Sequence, residues 1–107
     1  MMYKFRSKDS ADVIMLGATG EQILRLIGKE PAPQGIVTQA QLAGAISALE
    51  QAVAEDEATF ARLQADAEAA GEPAPRRQGI TLRQRAWPLL ELMRSALRGG
   101  HDLLWGN

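Results

Sequence analysis

The side chains that could perform acid–base or metal chemistry do not form a recognisable set in this sequence. His101 is the single imidazole, and it stands beside glycines where a solvated turn is expected rather than a general base. Glu55, Asp56 and Glu57 are consecutive, so on a helix they point to different sides and cannot converge on one ion. The absence of cysteine excludes thiolate catalysis and disulfides. We expect no catalytic residue, no metal site and no cofactor.

The sign of the charge changes along the chain. Between positions 50 and 72 there are seven acids and one arginine, whereas from position 76 onward there are six arginines and two acids. One interpretation is that two solvated helices attract each other within the fold. The alternative is a polyanion or nucleic-acid patch, because guanidinium groups bind phosphate and indole stacks on bases. Its members would be Arg76, Arg77, Arg83, Arg85 and Trp87. A pI near 5.8 argues against a dedicated DNA-binding protein.

Three Thr-x-x-Gln phrases, which begin at Thr19, Thr38 and Thr81, predict where helices start. The Thr hydroxyl accepts from the backbone N–H at the third helical position, and the Gln side chain bonds the N–H of the cap. Two of the phrases follow a Gln-Gly-Ile lead-in. No Walker or dinucleotide spacing accompanies them, so we interpret them as helix caps rather than ligand loops.

The elements that must position these side chains can be placed from periodicity. Tyr3 and Phe5 alternate with basic residues and predict a strand with these rings inward; residues 8–12 predict a hairpin turn before a second strand. The tail, HDLLWGN, predicts a third strand beside the first. Helix one should follow Thr19 and stop at Gly28. Helix three should follow Thr81, with Leu97 among its inward residues, and either kink at Pro88 or begin near Trp87.

The second helix is the longest predicted element. Leu42, Ile46, Leu49 and Val53 define one apolar seam, which continues through Phe60 and Leu63. Asp56 interrupts that seam, so either one helix continues through it or a new helix starts there. A continuous helix would be too long for a small sheet to cover. Val53, Phe60 and Leu63 are therefore candidate self-association residues, and a homodimer is expected.

Length and composition are those of one soluble domain, residues 1–107, with 46% apolar and 23% charged residues. Neither a signal-peptide pattern nor an apolar run long enough to span a membrane is visible, so a cytoplasmic location is expected.

Four segments in order resemble a known bacterial family. They are MMYKFRSKDSADVIML, GEQILRLIGKEPAPQGI, LRQRAWPLLELM and DLLWGN. They are similar to the family catalogued as domain of unknown function 1840, which implies a folded bacterial protein and supplies no activity, cofactor or catalytic residue.

The sequence therefore predicts an α+β domain. A small, three-stranded, mainly antiparallel sheet, made from the N-terminal hairpin and the C-terminal strand, is covered on one face by about three helices, the second of them long. The predicted role is interaction or regulation through self-association or a protein partner. Polyanion binding through the Arg-rich third helix is the alternative, and a small-molecule enzyme is the third hypothesis.

Overall fold

The computed structural model describes residues 2–8, 10–77 and 79–106. In chain order its elements are β1 (Met2–Arg6), β2 (Val13–Leu16), α1 (Gly17–Leu26), β3 (Gly35–Val37), α2 (Gln39–Ala69), α3 (Leu82–Gly99) and β4 (Leu103–Trp105). The strands form an antiparallel sheet in the order β2-β1-β4-β3. The predicted α+β class, the hairpin and the C-terminal strand beside β1 are confirmed.

The sheet has a fourth strand, β3, beyond the three that the sequence predicts. β3 pairs with β4, and Gly35 lies opposite Trp105. The indole ring packs so closely on Gly35 that a Cβ atom there would overlap it. Three residues between a Pro-rich loop and a helix cap are too few to show a strand period, so the sequence pattern could not reveal β3.

One face of the sheet carries the core. Its inward residues alternate along the strands, as period-2 geometry requires, and they are Tyr3, Phe5, Met15, Val37, Leu103 and Trp105. Helices supply the other layer, including Ile23, Leu24, Leu42, Leu49, Leu89 and Met93. The prediction that Leu97 points inward is wrong, because it is 38% exposed while Leu92 on the same helix is buried. The apolar stripe of α3 is therefore rotated toward Leu92.

Two of the three predicted caps start helices. Thr38 and Thr81 are the N-caps of α2 and α3, and the backbone N–H of each donates to Gln41 or Gln84. The prediction for Thr19 is wrong, since α1 begins at Gly17 and has Leu16 as its N-cap. β2 runs directly into α1, so Thr19 already lies inside the first turn. Gly28 ends α1 as predicted, with a φ of 86° that suits glycine.

The sequence left open whether the second helix continues past Asp56 and where the third helix begins. α2 runs without a break from Gln39 to Ala69, so no new helix starts at Asp56. α3 contains Pro88 and begins at Leu82, so the alternative start near Trp87 is wrong.

α2 and α3 lie antiparallel, and α2 is much the longer. Glu50 is paired with Arg94, and Glu57 is paired with Arg83 near the start of α3. Beyond this point α2 continues without α3 beside it. We name residues 58–69 the arm; at 1.5 Å per residue it is roughly 18 Å long.

Candidate interaction surface

The face of the sheet opposite the helices is uncovered and largely apolar. Of the described residues, five with large apolar side chains are exposed there: Met2, Ile14, Leu16, Ile36 and Leu104. The strand register makes them neighbours, because Met2 pairs with Leu16 in one corner and Ile36 pairs with Leu104 in the opposite one. We call this surface the outer face.

The most exposed of these residues form one corner of the outer face. Leu16, Met2 and Ile14 are 70, 64 and 59% exposed. An apolar patch of this kind marks an interaction site more often than a free surface. These residues were not among the predicted sites, although the sequence carried one signal. VIML has no polar residue to alternate with, so both faces of β2 had to be apolar.

The charges on the outer face are positive. Lys4 and Arg6 alternate with Met2 on β1, and neither outward position of β2 is acidic. Lys4 is paired at 3.4 Å with Asp12, which precedes β2 at the edge of the sheet. The outer face is therefore an apolar surface with a basic strip along β1.

The predicted arginine patch is divided between two sides of α3. Arg83 forms a bidentate pair with Glu57 at 2.7 and 2.8 Å, and Arg77 donates to Asp56 at 2.8 Å. Arg85 instead donates to Gln22 of α1, and Arg76 is exposed. Acids of α2 thus offset two of the four charges, as expected for helices that attract each other within the fold. Polyanion binding stays a prediction.

The pairing between Arg83 and Glu57 also changes their acidity. The hydrogen bonds from Arg83 lower the pKa of the Glu57 carboxyl below its ordinary value, and the same bonds raise the pKa of Arg83. Both groups are held in their charged forms.

Trp87, the aromatic member of the predicted patch, lies in a shallow groove between α2 and α3. The groove has a volume of about 160 Å³ and is bordered by Arg83, Leu90 and Arg94. The indole is 49% exposed, and the guanidinium carbon of Arg94 lies 5.4 Å from its ring centre. Glu50 and Glu91 also pair with Arg94. The ring is thus already in contact with an ion-paired arginine.

The three predicted self-association residues occupy different environments. Val53 is 4% exposed and belongs to the core of the protomer. Phe60 is half-buried beneath Arg77, whereas Leu63 is 51% exposed on the arm. Leu63 and Asp66 line an open groove together with Pro73 and Pro75 of the returning chain. Leu63 is the member of this set that is free to contact a partner.

The described residues contain no group of three or more His, Asp or Glu side chains that could hold a metal ion. His101 is half-buried just after α3, and its backbone N–H donates to the carbonyl of Ala96. Within the described ranges, no helix is long and apolar enough to cross a membrane.

Comparison with known proteins gives one match. The family described as "Domain of unknown function (DUF1840)" matches residues 1–105. No curated protein and no solved structure matches the chain.

Proposed function

Because the chain belongs to the family of domain of unknown function 1840, whose description names no activity, we propose a function from its surfaces: the protein is a self-associating interaction module. In the proposed dimer, the arm of one copy lies on the outer face of the other. The observation that carries the proposal is the corner formed by Met2, Ile14 and Leu16, where large apolar side chains adjoin on an uncovered sheet.

Charge argues against two outer faces stacking on each other. Lys4 and Arg6 lie on this face, so two identical faces in contact would bring the basic strips of both copies together. Like charges facing each other across an interface cost free energy, and they disfavour that partner. The occupant that fits is both apolar and acidic.

The arm is partly apolar and has a small excess of acid, with Asp66 and Glu68 against Arg62. Leu63 is exposed on it, and Asp66 and Glu68 are exposed acids in the following turn. Among the described residues, no ion pair holds either carboxylate. Opposite charges on the arm and the outer face would steer the two together and fix their orientation.

The dimensions of the two surfaces also agree. Four strands at a spacing of about 4.8 Å make a face roughly 19 Å wide, and the arm is roughly 18 Å long. One such contact is small beside the ~800 Å² per partner of a stable interface. A two-fold arrangement forms the contact twice, since each copy supplies an arm and a face, and it leaves no open end for further addition.

The mass of the purified protein in solution tests the proposal. Light scattering over a micromolar concentration series should give a dimer mass for the wild type, falling toward the monomer mass on dilution. Leu16→Glu places an acid in the apolar corner and should give a monomer. Ile80→Glu is the matched control, because Ile80 is 65% exposed but lies before α3, away from the outer face.

The role of the arm is tested separately by charge exchange. Lys4→Glu should weaken the dimer, and Asp66→Lys in the same chain should restore part of the lost affinity by re-pairing opposite charges. A wild type that stays monomeric at all concentrations contradicts self-association. A dimer that is insensitive to Leu16→Glu contradicts the outer face as its interface.

A further inference from the structure

A second feature of the outer side of the sheet is a polar cleft at the end of β1. It lies between β1, the start of α2 and the end of α3, and has a volume of about 400 Å³. The polar residues that line it are Arg6, Ser7, Lys8, Gln39, His101 and Asp102. The volume is within the range of small-molecule sites, about 300–1,000 Å³.

Arg6 is the unusual member of this cleft. Its side chain is half-buried, its Nε atom is shielded from solvent, and that N–H has no hydrogen-bond acceptor within the described residues. None of the ion pairs in that part of the chain includes Arg6. The shielded Nε is out of reach of a ligand, but the guanidinium keeps an uncompensated positive charge in the described part of the chain, so an anion that accepts from its terminal N–H groups would be stabilised there.

Asp102 lines the cleft, yet it is held by other groups. Its Oδ1 accepts the backbone N–H of Gln39 at 2.7 Å, and its carbonyl oxygen accepts the Ser7 hydroxyl at 3.0 Å. The first bond holds the carboxylate against the first residue of α2. None of the ion pairs between described residues joins Asp102 to Arg6 or Lys8. Among the described residues that line the cleft, two basic side chains, Arg6 and Lys8, thus stand beside a single acid that is already engaged.

We propose that this cleft binds a small ligand through an oxyanion group, a phosphate or a carboxylate. Arg6 would supply the forked donor that such groups accept in bidentate fashion, and Lys8 would add a second positive charge at the rim. The remaining volume would hold the body of the ligand. The apolar corner at Met2 and Leu16 lies at the other end of β1, but Arg6 and Leu104 belong to both the cleft and the outer face. Titration of Leu16→Glu beside the wild type therefore separates this proposal from self-association.

Nuclear magnetic resonance titration of the full chain tests the cleft with simple probes. Inorganic phosphate and acetate are added separately at constant ionic strength, and sodium chloride alone is the blank. The amide signals of Ser7 and His101 should shift saturably with at least one of the two probes and not with chloride. The probe that binds more tightly identifies the group as phosphate or carboxylate.

Single substitutions show whether Arg6 is responsible. Arg6→Gln should raise the apparent Kd at least about tenfold, because it removes a charge-assisted, forked donor. Arg25→Gln is the matched control: it removes one exposed positive charge from the last turn of α1, outside the cleft and the outer face, and should leave the Kd within about twofold. Arg6→Lys keeps the charge without the fork and should give an intermediate Kd.

Thermal melting of each variant shows that it is folded before titration, and Arg6→Lys takes the place of Arg6→Gln if the latter does not fold. If chloride shifts the amide signals of Ser7 and His101 as much as the probes do, the shifts reflect general charge screening, and the proposal is overturned. An Arg6 variant that binds as tightly as the wild type would also overturn it.

Discussion

The guanidinium carbon of Arg77 lies 4.4 Å from the centre of the Phe60 ring. The same side chain donates to Asp56 at 2.8 Å, one turn earlier on α2. Arg77 belongs to the connection between α2 and α3, so this double contact fixes the returning chain onto the helix that it has just left. It also explains how Asp56 is accommodated in the apolar seam of α2, since its carboxylate is neutralised there.

Removing Arg77 should therefore destabilise the protein although the residue is on the surface. Arg77→Ala should lower the free energy of unfolding by about 1 kcal/mol, because an exposed cation–π contact contributes about 0.5–1 kcal/mol and an exposed ion pair somewhat less. Arg76→Ala, its exposed neighbour, should change that free energy by less than about 0.5 kcal/mol. Urea unfolding of both variants provides the comparison, and equal effects would show that the stacking contributes nothing.

Adjacent leucines in β4 should differ sharply in their importance. Leu103 is fully buried and Leu104 is 41% exposed on the outer face, because successive strand residues point to opposite sides. Leu103→Ala should cost about 2–5 kcal/mol of stability through the cavity that it leaves. Leu104→Ala should cost less than about 1.5 kcal/mol. Melting temperatures measured by circular dichroism provide the comparison. A larger loss of stability for Leu104→Ala than for Leu103→Ala would contradict the observed register of β4.

The three Thr-x-x-Gln phrases should also behave differently on mutation. Thr81 accepts the N–H of Gln84 at 3.1 Å, so Thr81→Ala should cost about 1 kcal/mol. Thr19 lies within α1 and caps nothing, so Thr19→Ala should be close to neutral. Denaturant unfolding of the two variants tests the assignment, and a larger loss for Thr19→Ala would contradict the observed start of α1.

The pairing between Glu57 and Arg83 should make stability depend on pH. The folded-state pKa of Glu57 is lowered, so its contribution is complete above the unfolded-state pKa and is lost as the pH falls through the folded value. Arg83→Gln should therefore be less stable than the wild type at pH 7, and the difference should shrink below the ordinary pKa of a glutamate. Chemical unfolding of both proteins at several pH values measures this difference. A difference in stability that stays constant with pH would exclude a role for Glu57 ionisation.

Polyanion binding by the arginines before and within α3 can be tested directly. If it occurs, joint replacement of Arg76, Arg77, Arg83 and Arg85 by Ala should abolish retention of the protein on single-stranded nucleic acid and remove its salt dependence. Fluorescence anisotropy with a labelled oligonucleotide at low salt provides the measurement. A wild type that does not bind the oligonucleotide at low salt would contradict polyanion binding. We expect this result, because acids already pair with Arg77 and Arg83.

Local chemistry in the sequence was enough to predict much of the fold. The alternation of Tyr3 and Phe5, the caps at Thr38 and Thr81, and the stop at Gly28 each depend on residues close together in the chain. Periodicity and capping act over one or two turns, so a sequence displays them without any knowledge of distant neighbours. The continuity of α2 past Asp56 could not be decided in this way, because the compensating charge comes from Arg77, far along the chain.

The candidate surfaces were decided by tertiary structure. The sequence shows that Ile14 and Leu16 are apolar, but only the packing of the helices on one side of the sheet leaves them exposed. The arginines are close together in the sequence and suggest one patch. In the structure, however, Arg83 donates to Glu57 of α2, whereas Arg85 donates to Gln22 of α1. The physical reason is that exposure and ion pairing depend on residues that are distant in the sequence but close in the fold. A local pattern of residues does not identify those neighbours.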